Sequence, residues 1–164
     1  MREGQPAAHP KQVRVAISQS IPVYLDIQAS LAKALDLIQQ AAKRDAQLVA
    51  FGETWLPGYP AWLDVCLGAE LWENASAKDV FARLRANSLV VPGEEVNALR
   101  EAARDLKIAI VIGVNERVDS GPGKGHSTIR SSLFPRMDSS ETTIGSSSRP
   151  TRNASCGETV MAVG

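Results

Sequence analysis

Three features of the 164-residue chain predict an α/β fold with a mostly parallel sheet. Val13 to Phe51 holds two short strand-like runs separated by a long amphipathic stretch, which supplies the crossover that parallel pairing needs. The second run, Leu48-Val49-Ala50-Phe51, is apolar throughout, as expected of a strand covered on both faces. A helix-period segment followed by the strongest strand of the chain, Ile108 to Val114, then repeats the helix-to-strand order.

The elements follow from local chemistry. Val13-Arg14-Val15-Ala16-Ile17 alternates with β-branched residues and stops at Ser18-Gln19-Ser20 and the Ile21-Pro22 break. Asp26 is placed to cap the next helix, in which Ile27, Leu31, Leu35, Ile38 and Ala42 form one apolar stripe. Ala61 to Ser88 predicts two or three short helices, broken at Gly68 and near Asn74-Ala75-Ser76. Trp62, Leu63, Cys66 and Leu67 form one apolar cluster in it, with Cys66 as a buried small hydrophobe, and Val80, Phe81 and Leu84 form another. Pro92-Gly93-Glu94-Glu95 opens a further helix with acids in its first turn and Val96, Leu99, Ala103 and Leu106 on one face.

Composition narrows the function classes. One domain is expected at this length. The 18 basic and 18 acidic residues balance, and no basic stripe marks a nucleic-acid or anionic-membrane surface. The polar start, Met1 to Gln12, lacks the apolar core of a secretory signal, and no run is long enough to span a bilayer, so a cytoplasmic protein with a small-molecule or protein partner is expected. Cys66 and Cys156 lack CxxC spacing and are expected as free thiols. Gly121-Pro122-Gly123-Lys124-Gly125 is no phosphate loop, because Gly125 stands where Ser or Thr must follow the lysine. His126 has no acid or second histidine at ligand spacing and is expected as a surface residue; no metal site is predicted.

The candidate site is Phe51-Gly52-Glu53-Thr54-Trp55-Leu56-Pro57-Gly58-Tyr59-Pro60. It sets a carboxylate at the carboxyl end of an apolar strand, where open α/β sheets hold their ligands. By residue type alone, Glu53 is equally a solvated loop acid, with Trp55 and Tyr59 as packing residues.

Residues 13 to about 123 resemble the N-terminal half of the nitrilase family, within the carbon-nitrogen hydrolase superfamily. The resemblance rests on Val13-Arg14-Val15-Ala16, on the decapeptide around Glu53, and on Gly113-Val114-Asn115-Glu116-Arg117 leading to Gly121-Pro122-Gly123. It implies part of an α-β-β-α sandwich, mostly its first half, and hydrolysis of a nitrile to a carboxylic acid and ammonia by a Glu-Lys-Cys set without cofactor. An amidase of the same superfamily, or a non-catalytic interaction module, are the alternatives. The resemblance maps the general base onto Glu53 and implies a homo-oligomer in full-length members; Trp55 and Tyr59, with the helical segment from Ala61 to Ser88, are expected to shape the substrate-binding pocket or a subunit contact. A thiol needs such a base to become the nucleophile, and an ammonium would offset the charge developing on the attacked group. The family's lysine segment and its Cys-Trp-Glu segment do not appear. Cys156-Gly157-Glu158 lacks the preceding apolar strand, since Arg149 to Ser155 cannot build one.

The domain organisation expected is a flexible N-terminus at 1–11, the N-terminal part of a hydrolase domain at 12–123, and a disordered or out-of-frame tail at 124–164. From Ser127 the chain is rich in Ser, Thr and Arg, without periodicity. Reading its codons from their third base gives Gly across Met137-Asp138 and across Met161-Ala162, and permits Glu across Arg152-Asn153. Allowed codons for His126 to Ser132 read L-Y-N-S-L-L, and those for Glu141 to Ala162 read N-H-H-R-K-L-V-P-T-Y-T-E-R-L-V-W-G-N-G-D-G. That string resembles the family's lysine segment. A shift of frame between Gly123 and His126 is therefore expected, which would leave this chain inactive.

Overall fold

A computed structural model describes residues 12–59, 61, 75–119, 127–136 and 144–145. The expectations for the N-terminus at 1–11, the cluster Trp62 to Leu67 with Cys66, the segment Gly121 to His126, and Cys156 lie outside the described residues.

The elements run β1 (Val15–Ile17), α1 (Ile27–Ala42), β2 (Leu48–Ala50), α2 (Ala75–Ala86), α3 (Glu94–Asp105), β3 (Ala109–Arg117), β4 (Ser127–Phe134) and β5 (Ile144–Gly145). They form one sheet in the order β1-β2-β3-β4-β5. β1, β2 and β3 are mutually parallel, and β4 and β5 add on antiparallel. The α/β class is the predicted one. β1 is shorter than the run from Val13, and β3 continues beyond Val114 through Asn115, Glu116 and Arg117.

α1 starts where the sequence predicts. Asp26 is extended, and its Oδ1 accepts from the N–H of Ala29 at 2.9 Å, satisfying one donor that the first turn leaves open. α3 has Gly93 as an extended N-cap without a side-chain bond, so Glu94 and Glu95 are the favourable charges at its positive end. α2 begins at Ala75, where a break was predicted.

Register explains which residues form the core. Ala16, Val49, Ile110 and Phe134 stand side by side across four strands, and Val49, Ile110 and Phe134 are almost fully buried. They pack with Leu31, Ala34 and Ile38 of α1 and with Val96, Leu99 and Ala103 of α3. Burial of each large side chain in this layer stabilises by about 1.5–3 kcal/mol. The neighbouring row, Ile17, Ala50, Val111 and Leu133, faces the other way because successive strand residues alternate. Ile17 is 75% exposed and Val15, in the next such row, 49%. One face of the sheet is thus an apolar surface that the described residues leave open.

The tail predicted to be structureless from Ser127 forms β4 over Ser127–Phe134 and β5 over Ile144–Gly145 instead. β3 is nine residues long, and its backbone groups on that edge need partners. β4 supplies them, and Phe134 fills the core beside Ile110. The other core-side positions fit poorly. Ser132 is buried opposite Ile112, and Arg130 opposite Val114 reaches Glu116 in an ion contact whose angle gives neither Arg130 Nε nor Glu116 Oε2 a hydrogen bond.

Candidate active site

The site is built by a change of register on one edge of β3. β2 pairs with β3 as Leu48 with Ala109, Val49 with Ile110 and Ala50 with Val111. Continuing that register sets Gly52 opposite Gly113, and the N–H of Gly113 donates to Gly52 O at 3.2 Å. The next residue of β3, Val114, is bridged by Leu56. Glu53, Thr54 and Trp55 are therefore three extra residues, expelled from the line of the strand as a turn. This places Glu53 at the surface immediately beyond the carboxyl end of β2.

The ends of the excursion are anchored. Phe51 N–H donates to Val111 O at 2.9 Å before it; after it, Leu56 N–H donates to Gly113 O at 3.1 Å and Asn115 N–H to Leu56 O at 2.8 Å. Leu56 is completely buried. Further on, Leu89 takes the same edge of β3, with Leu89 N–H to Asn115 O at 2.8 Å and Arg117 N–H to Leu89 O at 2.7 Å. This succession of partners, β2, Leu56 and Leu89, lets β3 run on through Asn115, Glu116 and Arg117.

Thr54 shows the strain of the turn. It has φ 47°, unusual for a β-branched residue, while being fully buried. Among the described residues its Oγ1 has no hydrogen-bond partner, nor have Ser18 Oγ and Asn115 Nδ2. All three lie on segments that meet at this end of the sheet.

The loop between β1 and α1 forms the adjoining wall. Ser30 of α1 holds it in both directions, its Oγ donating to Val23 O at 2.8 Å and accepting from Val23 N–H at 3.0 Å. Lys33 Nζ donates to Ile21 O at 2.8 Å. In turn the loop grips the excursion: Trp55 Nε1 donates to Ser20 O at 2.8 Å, and Leu25 N–H to Pro57 O at 3.1 Å. Tyr24 lies against Gly58, whose φ is +122°; a Cβ there would stand 2.7 Å from the Tyr24 ring.

The predicted site residues separate in space. Glu53 and Tyr59 are exposed. Trp55 is 3% exposed, with its ring edge-on to Phe51 at a centroid distance of 5.0 Å. Its side chain is a strut beneath the loop, because the three-residue excursion returns to the core at this residue. Sequence reasoning missed Ser20 and Tyr24, which act through contacts distant in the chain, and Ser30, whose partner Val23 lies seven residues away. It also passed over Gly113, although a glycine inside a β-branched run signals close backbone approach. Among the described residues no group of three His, Cys, Asp or Glu side chains could hold a metal ion, and no helix is long and apolar enough to cross a membrane.

A mixed sheet with helices packed on one face and an exposed carboxylate beyond the end of β2 defines an α/β protein, and comparison supplies the family. The carbon-nitrogen hydrolase profile matches residues 14–136. The chain belongs to the carbon-nitrogen hydrolase family. It is 38% identical over 109 residues to an arylacetonitrilase of Aspergillus oryzae, covering 66% of this chain and 30% of that protein. It is 39% identical over 123 residues to nitrilase 2 of an unknown prokaryotic organism, covering 75% and 36%. Among solved structures, an amidase from Nesterenkonia sp. is similar at 26% identity and a TM-score of 0.46, over 76% of this chain and 38% of that one. The chain thus spans about a third of the length of these two curated relatives.

Proposed function

We propose that this chain is the N-terminal part of a nitrilase, with Glu53 as the general base, and that by itself it turns over no substrate. In the complete enzyme, Glu53 accepts the proton of a cysteine thiol and the sulfur bonds to the nitrile carbon. A lysine ammonium offsets the negative charge on the nitrogen. Addition of two waters across the cycle releases one carboxylic acid and one ammonia per nitrile. Tyr59 lines the substrate side of the loop. No cofactor takes part, and a cytoplasmic homo-oligomer acting on a small nitrile is the corresponding whole; an amide is the second substrate class.

The observation that carries this reading is the expulsion of Glu53-Thr54-Trp55 from the sheet, which presents one carboxylate to solvent at a strained turn. The names of the arylacetonitrilase relatives favour nitriles, and among those an aryl group one methylene removed from the nitrile carbon. The loss of activity is supported by the absence of the lysine and Cys-Trp-Glu segments, and by the polar core-side positions of Arg130 and Ser132 on β4.

Sequencing the coding DNA across codons 123–126 tests the origin of the tail. Restoring the other frame is expected to yield an open frame with a Cys-Trp-Glu segment, and that protein should release ammonia from phenylacetonitrile until Glu53→Gln removes the base. An uninterrupted frame without that segment sinks the proposal. The open apolar sheet face favours an interaction module as the second reading; a monodisperse chain that unfolds cooperatively would support it.

A further inference from the structure

We propose that Gly113 is the positioning residue for Glu53, an inference that rests on Glu53 being the base. Gly113 holds the excursion on both sides. Its N–H donates to Gly52 O at 3.2 Å, just before Glu53, and its carbonyl accepts from Leu56 N–H at 3.1 Å, just after the turn. Between these bonds the turn passes directly over the Gly113 Cα. A Cβ at this position would stand 2.4 Å from Thr54 N, 2.5 Å from Gly52 O and 2.6 Å from Glu53 Cα.

All three of those atoms are backbone, so no side chain can swing aside to make room. An added methyl must lift the turn or push β3 away by about 1 Å, the shift that for a catalytic group costs on the order of 100-fold in rate. Glycine weakens a strand interior, and it stands here among Ile110, Val111, Ile112 and Val114, which suit a strand well. The close approach of the Glu53 backbone accounts for it. Gly52, adjacent to Glu53 in sequence, differs: a Cβ there would meet nothing within 4 Å. The height of Glu53 above the sheet is therefore set by the residue opposite and not by its own neighbour.

The test compares Gly113→Ala with Gly52→Ala in the frame-restored protein, with phenylacetonitrile as substrate. Gly113→Ala should lower kcat about 100-fold with KM within about threefold. The acid limb of the pH profile of kcat/KM should move to higher pH, because a thiol without a placed base must lose its proton unaided. A variant that merely folded less well would keep the original pH profile. Gly52→Ala should retain kcat within about threefold. Equal kcat and an unshifted profile in Gly113→Ala overturn the inference.

Residue-resolved amide exchange on the chain as it stands decides the matter if Gly113→Ala does not fold. Gly113 and Leu56 amides should be protected together in the wild type and stay so in Gly52→Ala; free exchange at either overturns the bracketing role. Absence of turnover in the frame-restored wild type defeats the nitrilase reading, while the exchange experiment still judges the geometry.

Discussion

The indole Nε1 of Trp55 donates to the carbonyl of Ser20 across 2.8 Å. Through this bond the loop before α1 supports the turn that presents Glu53, joining segments that are 35 residues apart in sequence. Replacing the indole by a phenyl ring, Trp55→Phe, removes the donor while keeping an aromatic body beside Phe51. The stability loss should be about 1 kcal/mol or more, since Ser20 O loses a partner in a part-buried place. Urea unfolding followed by far-ultraviolet circular dichroism reads it; an unchanged midpoint would show that the bond carries nothing.

Ser30 and Lys33 both tie α1 to the same loop, yet their substitution should differ. Ser30 is fully buried and makes two bonds with Val23, so Ser30→Ala should cost about 1–3 kcal/mol. The bond of Lys33 to Ile21 O is exposed, and Lys33→Ala should stay within about 0.5 kcal/mol. Equal effects in the same unfolding assay would contradict the assignment of Ser30 as the staple.

At the start of α1, Asp26→Ala should destabilise by about 1 kcal/mol, whereas Asp26→Ser should recover most of that loss. The comparison isolates the bond to Ala29 N–H from the negative charge. If serine proves as poor as alanine, the carboxylate acts through the helix dipole instead.

The open row of the sheet predicts self-association. Ile17→Lys should lower it in sedimentation velocity by placing a charge on the apolar face, with little change in stability because Ile17 is 75% exposed. Ile110→Ala, one row over and fully buried, should instead lose about 2–5 kcal/mol. Association unaffected by Ile17→Lys would place the sticky surface elsewhere.

Ammonia release from aliphatic and aromatic nitriles by the chain as it stands should be undetectable, with Glu53→Gln indistinguishable from wild type. Turnover abolished by Cys156→Ala would make the tail a catalytic element and overturn the proposed loss of activity.

Much of the fold was legible because its signals are local. The Asp26 cap, the stripe of α1, the acids opening α3 and the apolar run of β2 are each set by neighbours within one or two turns. β4 was not legible, since Ser127–Phe134 has weak strand character and pairs because β3 offers it an edge. The burial of Trp55 was not legible for a related reason: whether an aromatic in a turn faces out or into the core depends on how many residues the turn expels.

The sequence by itself determined the α/β class, the start of α1 and the carboxylate at the end of β2, because periodicity, caps and strand ends are written within short windows; the mostly parallel sheet it predicted is mixed instead, since β4 and β5 add on antiparallel. Only the tertiary structure decided how Glu53 is held. Its position depends on the pairing of Gly52 with Gly113 and of Leu56 with Val114, contacts spanning some sixty residues, and on the space that Gly113 leaves by having no side chain. Such contacts are set by backbone hydrogen bonding between strands, to which residue type contributes little until the partners meet.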